Sequence, residues 1–248
     1  MVYGAILAGG TGSRMGAEIP KQFLALQDGR PILIRTLQPF LKCPQIEHIL
    51  LAVHADWLEY TKRLLHQWAP KSVVVTCFVG GSDRNETMGC ILQEMDRLCA
   101  APDSILVTHD GVRPFVTVDL LERSIAAARQ YGAAIAAIPA VDTIAQSEDG
   151  LTVSGLLDRS KLIQVQTPQT FQFGLLRQMY RRTDAQQLVN MTDAGAICVA
   201  QGQPVHLVTG SRLNLKITTP EDLKMAEWID HIMADDERHL QSGRSGKA

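Results

Sequence analysis

The sequence predicts an α/β fold in which a mostly parallel β-sheet is covered by helices on both faces. Short runs rich in Val, Ile, Leu and Ala alternate with longer stretches whose apolar residues recur at helical spacing. This alternation is typical of parallel sheets with helical crossovers. With 248 residues, 46% of them hydrophobic, the chain is long enough for one large core or two modest ones. We expect a single domain over residues 1–234.

The first half of the chain contains three predicted strand–helix pairs. Three apolar runs have the length and composition of buried strands: residues 2–7, 48–53 and 73–79. Each precedes a stretch in which apolar side chains recur at the spacing of a helix face: residues 31–41, 56–68 and 85–99.

The second half continues the alternation and adds an arm. Strands are predicted at 104–108, 133–138 and 206–209, and helices at 119–131, near 174–182 and from Thr219-Pro220, a capping pair. Between 141 and 161, two extended stretches flank Asp149-Gly150, which is a strong hairpin signal. This segment predicts a projecting β-arm. The polar residues 235–248 predict a disordered tail.

Composition excludes several classes of partner. A net charge of -2 argues against nucleic acid or a membrane surface as the main partner, so any anion must be held by a local site. The five cysteines are scattered, with no Cys-x-x-Cys among them, and free thiols suit a reducing cytoplasm. No apolar stretch reaches about 18 residues, and the start lacks a basic leader, so neither membrane spanning nor secretion is indicated.

A glycine-rich loop at residues 9–12, called the glycine loop below, follows the first predicted strand. Gly9-Gly10-Thr11-Gly12 leads to Arg14 and Lys21. Glycines let backbone N–H groups approach an anion, and the two cations supply charge. The spacing matches neither a P-loop nor a dinucleotide-binding turn. An ordinary structural turn is the alternative, which the cations disfavour, and we predict a phosphate site.

The central predicted strand delivers Asp110-Gly111-Val112-Arg113 to the same sheet edge. Asp110 can hold a divalent cation while Arg113 contacts an anionic substrate. A turn aspartate that caps the next segment is the alternative, but the shared edge with Arg14 and Lys21 favours the site. His109 has no second ligand at metal spacing, and such a histidine is more often structural.

Two further groups of polar residues are candidates. The turn Gly80-Gly81-Ser82-Asp83 leaves room for a flat base, and Thr87 offers a hydroxyl to read it; the alternative is a helix start capped by Ser82 or Asp83. The other group lies on the arm and a late loop, and each member is equally an ordinary solvated residue: Asp142, Thr143, Arg159 and Lys216.

Ordered motifs from the first strand to about Leu223 resemble the polyol-phosphate cytidylyltransferases. They are Leu7-Ala-Gly-Gly-Thr-Gly-Ser-Arg-Met-Gly, Pro20-Lys-Gln, Gly80-Gly-Ser-Asp-Arg, His109-Asp-Gly-Val-Arg-Pro, Asp142-Thr, Gln166-Thr-Pro-Gln, Thr192-Asp193 and Asn214-Leu-Lys-Ile-Thr. That family includes the methylerythritol phosphate enzymes of isoprenoid synthesis and the ribitol 5-phosphate enzymes of wall and capsule synthesis.

The resemblance implies a Rossmann-like nucleotidyltransferase fold and a cytoplasmic, Mg²⁺-dependent reaction of CTP with a polyol phosphate. By matched position, the catalytic residues are Arg14, Lys21 and Lys216. CTP binding is implied for Leu7, Ala8, Gly9, Gly10, Thr11, Gly12, Gly81, Ser82, Arg84, Thr87 and Gly111. The polyol phosphate is assigned to Asp110, Arg113, Asp142, Thr143 and Arg159, and the metal to Asp110. A homodimer formed through the arm is implied, with Thr143 and Arg159 serving the neighbouring site.

The substrate prediction is ribitol 5-phosphate. Ala8-Gly9-Gly10, the run 82–86 and the absence of a basic residue after Ile144 resemble the ribitol phosphate enzymes more than the methylerythritol phosphate enzymes. Methylerythritol phosphate is the alternative. A non-catalytic nucleotide-binding protein is a third hypothesis, which the retained Arg14, Lys21 and Asp110 disfavour.

Overall fold

The computed structural model describes residues 1–10, 19–70, 72–189 and 191–244. Nine strands are present in these ranges: β1 (Val2–Ala8), β2 (His48–Val53), β3 (Val74–Val79), β4 (Ile105–Asp110), β5 (Ala133–Pro139), β6 (Ala145–Gln146), β7 (Gly155–Leu156), β8 (Ile163–Gln172) and β9 (His206–Thr209). Seven form one sheet in the order β3-β2-β1-β4-β8-β5-β9. Only β8 runs antiparallel to its neighbours, β4 and β5, so the predicted mostly parallel sheet is confirmed.

Helices cover both faces of the sheet. They are α1 (Ile32–Lys42), α2 (Leu58–Trp68), α3 (Arg84–Arg97), α4 (Val118–Tyr131), α5 (Phe173–Arg182), α6 (Ala185–Val189), α7 (Ala194–Ala200) and α8 (Pro220–Arg244). Apolar side chains of α1, α2 and α4 pack with β1, β2 and β4 in one core cluster, and those of α3, α5 and α7 form a second. Side chains of alternate strand positions therefore point into two cores.

The structure contains one central strand that the apolar pattern does not predict. β8 is rich in Gln and Thr and contains Pro168, yet its residues 166–171 are buried. Its backbone pairs on both sides, and Thr108 Oγ1 donates a 2.8 Å hydrogen bond to the carbonyl of Gln169. Sheet pairing thus satisfies the backbone of this strand. Its polar composition explains why a search for apolar runs does not find it. The short helices α6 and α7 were likewise not predicted.

The predicted hairpin around Asp149-Gly150 is present, with β6 and β7 paired antiparallel. The Asp149 carboxylate accepts from the backbone N–H groups of Leu151 and Thr152, each at 2.8 Å, and Gly150 has a φ of 72°. The last helix, α8, continues to Arg244, into the segment for which a disordered tail is predicted. The boundary at residue 234 stays a prediction.

All five cysteines are free, as predicted. Among the helices within the described ranges, none combines the length and the apolar character that crossing a membrane requires.

Candidate active site

Three loops that follow β1, β3 and β4 meet at one edge of the sheet, as predicted for parallel strands. Together with Lys21, Gln22 and Lys216 they enclose a cavity of about 300 Å³. Its lining comprises Leu7, Ala8, Gly9, Gly10, Lys21, Gln22, Gly81, Ser82, Asp83, Arg84, Thr87, Asp110, Val112 and Lys216. Thr11, Gly12 and Arg14, which are also predicted site residues, lie outside the described residues.

Gln22 anchors the start of the glycine loop. It is 2% exposed, and its side-chain amide donates to the carbonyls of Ala8 and Gly10 at 3.0 and 2.9 Å. Lys21 precedes it in a short 3₁₀ turn whose Phe23 stacks on Trp57. Gln22 was missed as a site residue, although its place directly after Lys21 was the available signal.

The turn after β3 has no room for a side chain. A Cβ at Gly81 would lie 2.2 Å from Glu86 Cβ. Asp83 caps α3 by accepting from the Glu86 N–H at 2.8 Å, and the Thr87 hydroxyl donates to the Asp83 carbonyl at 2.6 Å. The alternative of a capped helix start is therefore correct for Asp83. Because the Thr87 proton is used within the helix, its hydroxyl can offer the cavity only an acceptor.

The backbone at the end of β1 also lies very close to Gly111, the residue that follows β4. The Gly111 N–H donates to the Leu7 carbonyl at 2.9 Å, and a Cβ at Gly111 would lie 3.0 Å from both that oxygen and Ala8 Cβ. Gly111 therefore lies directly behind the lining residues Leu7 and Ala8 rather than on the cavity surface.

Asp110 is the centre of charge in the cavity. Its side chain is 7% exposed and pairs with three cations: Arg84 at Oδ1, and at Oδ2 Arg113 Nε at 3.2 Å and Lys216 Nζ at 3.1 Å. Burial alone raises the pKa of this carboxyl, but Arg84, Lys216 and Arg113 outweigh burial and hold the pKa well below its usual range. Asp110 is therefore ionised at neutral pH. Three cations around one carboxylate leave a net positive site, which suits a polyphosphate.

The side chains that line the cavity suit a metal ion that is bound partly by the substrate. Among the residues that the structure describes, no group of three His, Cys, Asp or Glu side chains could hold a metal ion by itself. Mg²⁺ commonly keeps several waters and binds one or two carboxylates together with substrate phosphates. Asp110 fits that role as a single carboxylate, and a dedicated protein cage does not fit these residues.

A second cavity of about 360 Å³ adjoins the first. Its lining includes Arg113, Asp142, Gln164, Gln166, Arg212, Asn214 and Lys216. Lys216 lines both cavities, and the Arg113 guanidinium also donates to the Asn214 carbonyl at 2.8 Å. Gln166, Arg212 and Asn214 were not predicted as site residues.

Thr143 and Arg159 are not brought to either cavity. Both side chains are exposed on the arm, and Arg159 donates to the Val141 carbonyl at 2.6 Å. Within the described part of one chain, these two predicted substrate residues therefore lie away from Asp110.

The sheet topology, with Gly9 and Gly10 and a cationic cavity at the carboxyl edge, is that of a nucleotidyltransferase fold. The model of the family described as "IspD: 2-C-methyl-D-erythritol 4-phosphate cytidylyltransferase" matches residues 2–231. The chain belongs to this family, and it is a cytidylyltransferase. The hypothesis of a non-catalytic nucleotide-binding protein has no support from this match.

Solved structures agree in fold over nearly the whole chain. The 2-C-methyl-D-erythritol 4-phosphate cytidylyltransferase of Francisella tularensis is 29% identical, with a TM-score of 0.75, and the match covers 92% of this chain and 99% of that one. The enzyme of the same name from Thermus thermophilus is 29% identical, with a TM-score of 0.71 and coverage of 91% and 97%. The 4-diphosphocytidyl-2C-methyl-D-erythritol synthase of Anaerococcus prevotii is 28% identical, with a TM-score of 0.75 and coverage of 91% and 94%.

Proposed function

We propose that the protein transfers the cytidylyl group of CTP to the phosphate of 2-C-methyl-D-erythritol 4-phosphate and releases pyrophosphate. The observation that carries this proposal is the pair of adjoining cavities that share Lys216. One is lined by Gly9, Gly10 and Lys21, the other by Arg113 and Arg212, and Lys216 lines both. Two phosphate-bearing substrates would thus meet beside Lys216. The family match and the three named structures support methylerythritol phosphate as the acceptor.

The proposed reaction is an in-line displacement. A phosphate oxygen of the acceptor attacks the α-phosphorus of CTP, a new P–O bond forms, and the bond to the β-phosphate oxygen breaks as pyrophosphate leaves. Protein groups need only position the two substrates and stabilise the developing charge. We assign charge stabilisation to Lys21 and Arg14, and acceptor phosphate binding to Arg113 and Lys216.

The remaining assignments follow from the lining of the first cavity. Mg²⁺ bound at Asp110 would neutralise charge on the triphosphate. The backbone of the Gly81 turn, with Ser82 and Thr87, would bind the cytosine ring, since the absence of a side chain at Gly81 leaves a flat surface. Leu7 to Gly10 would contact the triphosphate through backbone N–H groups.

D-ribitol 5-phosphate is the second candidate acceptor. The comparisons favour methylerythritol phosphate, whereas Ala8-Gly9-Gly10 and the run 82–86 favour ribitol phosphate by resemblance. The preference for ribitol phosphate stays a prediction, and a direct assay separates the two.

Pyrophosphate release with CTP and Mg²⁺ should be at least about tenfold faster in kcat/KM with methylerythritol phosphate than with ribitol phosphate, since sites that hydrogen-bond substrate hydroxyls discriminate strongly. Omitting the acceptor is the control. The opposite preference would establish ribitol phosphate, and no turnover with either would refute the proposed function.

We further propose a homodimer formed through the arm. Leu151, Val153 and Leu156 are 90%, 67% and 69% exposed, and exposed apolar clusters of this kind mark interaction sites. A second copy that covers the arm would bring its Thr143 and Arg159 to the site of the first. This geometry would explain why neither side chain reaches a cavity of its own chain.

Subunit complementation tests the shared site. Arg159→Ala and Lys21→Ala should each be nearly inactive, and mixing them under subunit exchange should restore roughly a quarter of wild-type activity, because half the dimers are mixed and each has one intact site. Light scattering on each variant checks that the mass of a dimer is kept. An inactive mixture of exchanging dimers would show that Arg159 does not act across the interface.

A further inference from the structure

We propose that His109 is a positioning residue: a neutral side chain with its proton on Nε2 that joins Asp110 and Arg113 through one buried hydrogen-bond chain. The functional part of this inference rests on the proposed function, because Asp110 and Arg113 are assigned there to the metal and to the acceptor phosphate. The hydrogen-bond chain itself rests on geometry alone.

His109 lies in β4 and is 0% exposed. Its Nδ1 is 2.9 Å from Thr167 Oγ1, and its Nε2 is 3.1 Å from the Arg113 carbonyl oxygen. Thr167 Oγ1 is also 3.2 Å from the backbone nitrogen of Asp110. One imidazole ring thus connects the first and last residues of the segment 110–113, directly at one end and through a hydroxyl at the other.

The two ends fix the direction of two of the three bonds, and the Thr167 hydroxyl hydrogen decides the third. A backbone N–H only donates and a carbonyl oxygen only accepts. The Arg113 carbonyl therefore requires a proton on His109 Nε2, and Thr167 Oγ1 accepts from Asp110. The Thr167 hydroxyl hydrogen then donates to an unprotonated Nδ1. A second proton on the ring would leave that hydroxyl hydrogen without an acceptor in the chain.

The same network reaches the loop that carries Lys216. The Thr167 carbonyl accepts from the Asn214 side-chain amide at 2.7 Å, and the Asn214 carbonyl accepts from Arg113 at 2.8 Å. β4, β8 and residues 211–217 are therefore held together behind the two cavities. Displacement of a reacting group by about 1 Å can cost about a hundredfold in rate, so a rigid connection of this kind matters for turnover.

Two amide substitutions each break the hydrogen-bond chain on one side of the imidazole. His109→Asn keeps an acceptor near the position of Nδ1 and removes the donor to Arg113. His109→Gln keeps a donor near the position of Nε2 and removes the acceptor for Thr167. Thr167→Val removes the hydroxyl from the other side and should behave like His109→Gln.

The expected result is a split between kinetic constants. His109→Asn should raise the KM for the acceptor phosphate about tenfold with kcat nearly unchanged, whereas His109→Gln and Thr167→Val should lower kcat about tenfold with little change in that KM. Thr108→Val is the matched control, because it also removes a buried hydroxyl from a hydrogen bond in the sheet but should leave both constants unchanged. The same kinetic change in all three site variants, or none, would overturn the positioning role.

A measurement without substrate tests the hydrogen-bond chain. The ¹⁵N NMR spectrum of the whole protein is recorded at about pH 7.5, above the ordinary histidine pKa. The signals of the His109 ring are assigned by their loss in His109→Asn. They should show the ring proton on Nε2. Thr167→Val should shift its Nδ1 resonance, whereas Thr108→Val should not. A proton on Nδ1 would overturn the inference whatever the substrate. If wild type shows no turnover while His109 carries its proton on Nε2, the proposed function is refuted and the hydrogen-bond chain is supported.

Discussion

Asp110→Asn should lower kcat roughly a thousandfold, about 4 kcal/mol of transition-state stabilisation. The substitution keeps the shape of the side chain but removes the one negative charge among Arg84, Arg113 and Lys216. It also removes the carboxylate assigned to Mg²⁺. Pyrophosphate release measured over a range of Mg²⁺ concentrations checks both effects, and binding of CTP with and without Mg²⁺ by calorimetry should show that the metal no longer strengthens binding.

The matched control is Asp119→Asn, which breaks an exposed pair with Arg123 on α4 and should leave turnover unchanged. Turnover of Asp110→Asn within threefold of wild type would contradict the role of the carboxylate.

The stability of the folded protein should also change in Asp110→Asn. Because the pKa of Asp110 is lowered in the folded protein, its ionised form stabilises the fold above the ordinary carboxyl pKa, and this contribution is lost as the pH falls. Asp110→Asn should therefore unfold more readily than wild type at about pH 7 and differ less at low pH.

Lys21→Ala should lower kcat about a hundredfold or more, with a much smaller change in the dissociation constant of CTP. Gln22 anchors Lys21 beside the glycine loop, where a cation can stabilise charge that increases as pyrophosphate leaves. Single-turnover rates and equilibrium CTP binding separate the two effects. Lys62→Ala, which removes an exposed cation paired with Glu59, is the control. An unchanged rate, or an equal loss in binding and turnover, would refute a role specific to the transition state.

Much of the architecture was predictable because its determinants are local. Apolar runs and helical spacing identified every strand of the main sheet except β8 and most of the helices, and the Asp149-Gly150 signal identified the hairpin. The convergence of Gly10, Gly81 and Asp110 followed from the rule that ligand sites form at the carboxyl ends of parallel strands. The resemblance supplied the reaction class, which the family match confirms, while the residue roles remain predictions.

Other features of the site could not be inferred from local patterns. Gln166 and Asn214 begin motifs that carry the family resemblance, but no site role was predicted for either. Arg212 lies in a polar segment without periodicity, which does not distinguish it from a solvated loop residue. The pairing of Asp110 with three cations joins Arg84, Arg113 and Lys216 from separate parts of the chain. Each cation was named from the sequence, but their contact with one carboxylate depends on how three loops pack.

The sequence by itself determined the α/β class, the glycine loop and the strand that ends at Asp110, because each depends on residues adjacent in the chain. Only the tertiary structure decided that β8 enters the centre of the sheet. The strand is stable there because its backbone pairs with β4 and β5, and because Thr167 hydrogen-bonds His109 and Asp110. Burial of a polar strand depends on partners that lie far away in the sequence, and local composition does not reveal them.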